Sequence, residues 1–160
     1  MAIPVAISAY LGRNQVHYTV IEHPVAYKAQ EEAVLSHVPG SEWAKAVVCM
    51  ADDLPILAVL SANSTVDLAR LKRFVGAKSF RLATEAEIAR LYDDCELGAM
   101  PPFGPLYGQR VLVEQTLTMD PEIVFNAGSH REAIRMDYAD FEALVKPTVA
   151  DFGIPSSAQV

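Results

Sequence analysis

The chain has 160 residues, 51% of them apolar and 21% charged, which is ordinary globular usage and far from that of a disordered segment. Twenty acidic against thirteen basic residues leave a net charge of −7, which argues against sequence-independent coating of nucleic acid but leaves room for a local basic patch. Two cysteines are too few for a disulfide scaffold, no apolar run nears the ~18 residues of a membrane span, and Met1–Tyr10 lacks the basic start of a signal peptide, so a soluble cytoplasmic protein is expected.

Val5 to Leu11 reads as a first helix with Gly12 as its C-cap. Tyr18 to Glu22 is β-branched and aromatic and is stopped by His23-Pro24, which predicts a strand. Ala29 to Leu35 is a helix with Glu31 and Glu32 in the early turn that the dipole favours, and Pro39-Gly40 is a turn. Lys45 to Met50 and Ile56 to Leu60 are continuous apolar runs around Asp52-Asp53, the pattern of a hairpin buried on both faces. Leu68, Leu71 and Val75 recur at helical spacing within Asp67 to Phe74, and Gly76 can end that helix. After a short strand at Phe80 to Leu82, Thr84 and Glu87 form a capping box that opens a helix to about Leu91. A Pro/Gly-rich loop occupies Asp93 to Gly108. Strands follow at Arg110 to Glu114, Glu122 to Asn126 and Ala133 to Met136, with a turn at Asn126-Ala127-Gly128. Asp137 caps a final helix to Val145 that Pro147 stops, and the tail after Asp151 reads as frayed. The whole is one α/β domain with mixed strand order.

Common catalytic signatures are absent: no GxGxxG, no P-loop, no CxxC, no HExxH and no GxSxG. His17, His23, His37 and His130 lack ligand spacing on one helix, so no metal and no cofactor is expected. Cys49 lies within an apolar strand and reads as inert core, and the acids around Cys95 raise its pKa and make it a poor nucleophile. Three features stand out. Lys45 opens an apolar strand, either as a functional cation or as a lysine reaching out to solvent. Gly98-Ala99-Met100-Pro101-Pro102-Phe103-Gly104 combines stiffening prolines with glycines that let backbone amides approach a ligand, or is simply a rigid surface loop. Asn126-Ala127-Gly128-Ser129-His130 is a polar turn after a strand, and alone could be no more than that.

Taken together, these segments resemble the YbaK-like aminoacyl-tRNA deacylases, which are similar to the editing insertion domain of bacterial prolyl-tRNA synthetase. The markers, in order, are Ile21-Glu22-His23-Pro24, Ala44-Lys45-Ala46-Val47-Val48, Val66-Asp67-Leu68-Ala69-Arg70-Leu71, Gly76-Ala77-Lys78 with Arg81-Leu82-Ala83-Thr84, then the loop Gly98–Gly104 and the turn Phe125–His130. The likeness covers about residues 16–148 of a single domain over 1–160. It implies a mixed, barrel-like sheet surrounded by helices. It also implies hydrolysis of the ester between a wrongly attached amino acid and the 3′ adenosine of a tRNA, with no covalent nucleophile and with the terminal 2′-hydroxyl assisting the water.

Carried over residue by residue, the resemblance makes Lys45, Gly98 and His130 the catalytic set. Lys45 would hold the anionic acceptor end, Gly98 would offer an amide to the carbonyl oxygen or the water, and His130 would orient water or contact the ribose. Tyr27, Lys28, Met100, Pro101, Pro102, Phe103, Gly104, Asn126, Gly128 and Ser129 would form the substrate pocket; Lys28 stands where many members carry Thr or Ser. Arg70, Lys72, Arg73, Lys78 and Arg81 hold five of the thirteen cations, and form either a solvated face or a track for the acceptor stem. The expected partners are aminoacyl-tRNA and an aminoacyl-tRNA synthetase, with neither DNA nor membrane. Two rivals stand beside this reading: a non-catalytic tRNA- or synthetase-binding module of the same fold, and an unrelated metal-dependent hydrolase.

Overall fold

A computed structural model describes residues 3–155. The hairpin that the two apolar runs predict is its centre. β2 (Ala44–Ala51) and β3 (Leu54–Ser61) pair antiparallel from Ala44↔Ser61 to Ala51↔Leu54. They turn through Asp52 and Asp53, whose φ of 48° and 67° place both in the left-handed region of a primed turn. Asp52 secures the turn further by accepting the backbone N–H of Lys78 and Ser79.

Around this hairpin a five-stranded mixed sheet runs in the order β5-β2-β3-β6-β9, with β5 (Phe80–Leu82), β6 (Arg110–Glu114) and β9 (Thr148–Ala150). β5 and β3 are antiparallel to β2, whereas β3, β6 and β9 run parallel. The sheet is mixed, as expected, and open, with β5 and β9 at its edges. A three-stranded antiparallel sheet, β1-β8-β7, comprises β1 (Tyr18–Glu22), β8 (Glu132–Asp137) and β7 (Glu122–Asn126). A parallel bridge between Trp43 and Val124 ties it to the start of β2.

Burial on both faces explains why the central residues of β2, β3 and β6 are continuously apolar. Leu57, Val59, Val111 and Val113 face a core shared with Ile123, Phe125 and Ile134 of the smaller sheet. Ile56, Ala58, Leu60 and Leu112 face a second core that Leu71 and Phe152 complete. The helices α1 (Val5–Arg13), α2 (Ala29–Leu35), α3 (Leu68–Val75), α4 (Glu85–Leu91) and α5 (Tyr138–Val145) surround the sheets. The Thr84–Glu87 capping box of α4 and the left-handed Gly76 cap of α3 form as the sequence predicts. No helix among the described residues is long and apolar enough to cross a membrane.

Three expectations are corrected. Gly12 lies inside α1, which ends at Arg13, and the left-handed turn falls instead on Gln15 at φ 55°. Asp137 occupies the N-cap position of α5 but makes no side-chain cap bond. The tail is ordered as far as Pro155: Gly153–Pro155 forms β10, which pairs with β4 (Ser64–Val66), and β9 joins the large sheet. The expectation of fraying beyond Pro155 falls outside the described residues. This end is held by Glu114, which is 3% exposed. Its Oε2 accepts the N–H of Phe152 at 2.6 Å and of Gly153 at 2.7 Å, and its Oε1 accepts that of Thr116 at 3.4 Å.

Candidate functional site

β2 carries Lys45 to the wall of a pocket of about 170 Å³, at the end of the strand where the two sheets meet. Lys45, Gly98 and Tyr27 stand at the mouth, and Glu32, Trp43, Met100 and Asn126 line the interior. The pocket thus joins α2, β2, the proline loop and the end of β7. Lys45 is half-buried, and burial lowers its pKa from the ordinary lysine value. Among the described residues it forms no ion pair within 4.0 Å. On the other side of Lys45 a second cavity of about 290 Å³ is lined by Lys28, which places two lysines at neighbouring openings.

The loop that presents Gly98 is held from behind by the turn after β7. His130 is 3% exposed, and its Nε2 lies 2.7 Å from the Leu97 carbonyl. A carbonyl only accepts, so Nε2 carries a proton and donates it. The His130 backbone N–H donates to Glu96 Oε1 at 2.7 Å, and the N–H of Gly128 to the Ala99 carbonyl at 2.9 Å. Gly98 has φ +84°, where a side chain is strained, and an added Cβ would sit 3.4 Å from the His130 ring. Both ring nitrogens of His130 therefore face protein groups. Its Nδ1 is 3.4 Å from Glu32 Oε2, and the exposed Tyr27 ring lies over it at 4.9 Å.

The expected substrate-binding residues divide. Tyr27, Met100 and Asn126 reach the pocket and Lys28 reaches the adjoining cavity. Pro101 and Pro102 are buried in the loop, and Phe103 is core, packed between Tyr10 and Phe125. Gly104 is required by packing, since a Cβ there would strike Val111 and the Gln109 carbonyl. Gly128, at φ +94°, packs against Pro4, and Ser129 Oγ accepts the N–H of Arg131 and Glu132. These residues shape the loop and turn from outside the pocket. A larger, open groove of about 560 Å³ lies beside Gly128, but Asp93, Asp94 and Glu96 line it and would repel a nucleic-acid end.

The basic track is partly neutralised. Arg70 pairs with Asp67 at 3.4 Å and Asp151 at 3.3 Å, and Arg81 pairs with Glu87 at 2.8 Å. That bidentate pair lowers Glu87 to a pKa of about 2. Lys72, Arg73 and Lys78 are exposed, with no ion pair among the described residues. Arg81 is opposite Met50, five residues along β2 from Lys45, so the track begins about 17 Å from the pocket at the rise of a β-strand. Burial first of all lifts the thiols of Cys49 and Cys95 to about 12, in keeping with their reading as poor nucleophiles.

Sequence reasoning missed Glu32 and Trp43. Glu32 was accounted for as a helix-dipole residue, yet it is 2% exposed and lines the pocket. Its carboxyl is raised above the ordinary range by burial, with Asn126, His130 and His23 partly opposing the shift. The signal lay in helical spacing: Ala29, Glu32 and Ala33 share the inward stripe of α2, and a glutamate on that stripe must meet polar partners.

The sequence profile of the aminoacyl-tRNA editing domain family matches residues 23–144. The chain is 28% identical over 150 residues to the multifunctional Ser/Thr-tRNA deacylase ProXp-y of Escherichia coli, covering 90% of this chain and 89% of that protein. It is 25% identical over 148 residues to the proline–tRNA ligase of Streptococcus mutans, where it spans 88% of this chain and 24% of the ligase. Among solved structures, a proposed trans-editing enzyme for prolyl-tRNA synthetase superposes with a TM-score of 0.82 at 24% identity, covering 96% of this chain and 99% of that one. The fold, the meeting of Lys45 with Gly98 and the profile match converge, and the chain belongs to the aminoacyl-tRNA editing domain family.

Proposed function

We infer that the protein is a trans-acting editing hydrolase. It removes wrongly attached amino acids from tRNA in the cytoplasm by cleaving the ester to the 3′-terminal adenosine. One observation carries this reading: a lysine with no carboxylate partner among the described residues and a left-handed glycine share the mouth of a pocket sized for a small aminoacyl group. The Lys45 ammonium holds the acceptor end as a point charge, and Lys28 and the exposed cations Lys72, Arg73 and Lys78 extend that attraction toward the acceptor stem. The Gly98 backbone, fixed by His130, faces the reacting carbonyl. Water adds to the carbonyl carbon, the bond to the ribose oxygen breaks, and the proton lost by the water ends on that oxygen. An aminoacyl ester is already activated, so positioning and charge suffice without a covalent intermediate. The relative named for Ser/Thr-tRNA supports small hydroxylated amino acids as substrates, and the synthetase that makes the error is a partner through the shared tRNA.

The test is deacylation of tRNA carrying serine, threonine, alanine or cysteine, with correctly charged tRNAs as controls and with chelator added in parallel. Hydrolysis of one or a few mischarged species, unaffected by chelator, is the expected result. Retention of tRNA without turnover of any species would make the protein a binding module instead, and loss of activity with chelator would point to a metal hydrolase.

A further inference from the structure

The pocket has two unlike ends. Tyr27 and Gly98 at its mouth are exposed and Lys45 is half-buried, whereas Glu32, Trp43, Met100 and Asn126 on its inner wall are all at least nine-tenths buried. The polar atoms of that wall include two acceptors. Glu32 Oε2 lies 3.4 Å from His130 and 4.0 Å from His23, and the carboxyl also accepts from the Asn126 side chain, fewer partners than the four or so hydrogen bonds its two oxygens can take. Asn126 Oδ1 is buried and has no hydrogen-bond partner. An ester whose acceptor end is held at Lys45 and whose carbonyl faces Gly98 keeps its α-ammonium near the mouth as well, since carbonyl and ammonium are separated only by the α-carbon. Only the amino-acid side chain extends inward.

We propose that Glu32, together with Asn126, reads a hydroxyl on the side chain of the aminoacyl group, so that the pocket selects threonine over its isostere valine and serine over alanine. This rests on the deacylase reading above and adds the residues that set its specificity. The physical reason is an asymmetry. A hydroxyl satisfies the unpartnered Asn126 Oδ1 or adds a bond to Glu32, whereas a methyl group of the same size excludes water and leaves Asn126 Oδ1 unpaired. Size alone cannot make the distinction, because Thr and Val fill the same space. His130 and His23 keep the Glu32 carboxyl in place from behind.

The test compares kcat/KM for serine against alanine and for threonine against valine, all four esters carried on one tRNA, in the wild type, Glu32→Gln and Glu32→Leu. The wild type is expected to favour the hydroxylated member of each pair by about tenfold or more, and Glu32→Leu to bring the pairs within about twofold. Glu32→Gln keeps the size and one acceptor oxygen, so it keeps the test open should the leucine variant fail to fold, and it is expected to lower the preference partway. The proposal is overturned if the wild type treats serine and alanine alike, or if the preference survives in a substituted protein that melts cooperatively. Failure of the wild type to hydrolyse any of the four esters would overturn the deacylase reading itself.

Discussion

Lys45→Ala is expected to lower deacylation of a mischarged tRNA by about 10²–10³-fold in kcat/KM, the usual cost of removing one preorganised electrostatic contact at a reacting centre. The substitution leaves the fold intact, because the β2 ladder uses only the Lys45 backbone, paired opposite Leu60. Burial already disfavours the ammonium, and no carboxylate offsets that cost among the described residues. Thermal stability should therefore stay level or rise in the variant while activity falls. A residue that costs stability and supplies activity is the signature of a functional cation, and the paired measurement of melting temperature and kcat/KM reads both. Activity retained within about threefold would remove Lys45 from the site.

Glu114→Ala is expected to destabilise the protein by about 3 kcal/mol, because it leaves the buried N–H of Phe152 and the part-buried N–H groups of Gly153 and Thr116 without their charged acceptor. For a domain of this size that corresponds to a fall of roughly 6–12 °C in melting temperature. The loss should be concentrated at the C-terminal end. Phe152 is fully buried in the second core and, among the described residues, β10 pairs only with the three residues of β4, so amide exchange should accelerate first over residues 148–155. Glu114→Gln keeps an acceptor and should lose less. A melting temperature unchanged in the alanine variant would show that the carboxylate is dispensable to this end of the chain.

The same segment shows where the sequence was hard to read. β4, β9 and β10 have three residues each, and they exist because remote partners such as Gly153 and Val66 meet. The 44–61 hairpin was legible because burial on both faces makes its strands continuously apolar. Gly76 and Thr84 were legible because their conformations and caps are local. Gly12 misled because a glycine tolerates a helix interior, and the left-handed turn went to Gln15. In the site, the short motifs located Lys45, Gly98, Met100 and Asn126, all on the pocket wall. They could not tell a residue that lines the pocket from one that supports it. His130 and Ser129 stand behind the loop and turn, Phe103 is in the core, and Glu32 reached the pocket from a helix whose dipole seemed to account for it.

Trp43 has a use beyond its place in the wall. It is the single tryptophan of the chain, 1% exposed, edge-on to the His23 ring at 5.9 Å, and it lines the same pocket as Lys45. The protein thus contains one indole, at the place a ligand would enter. Its emission is an optical gauge of pocket occupancy, free of background from any other tryptophan. Titration with a non-hydrolysable aminoacyl-adenosine should shift the intensity or wavelength of that single signal along a saturating curve, so binding can be followed without label and apart from turnover.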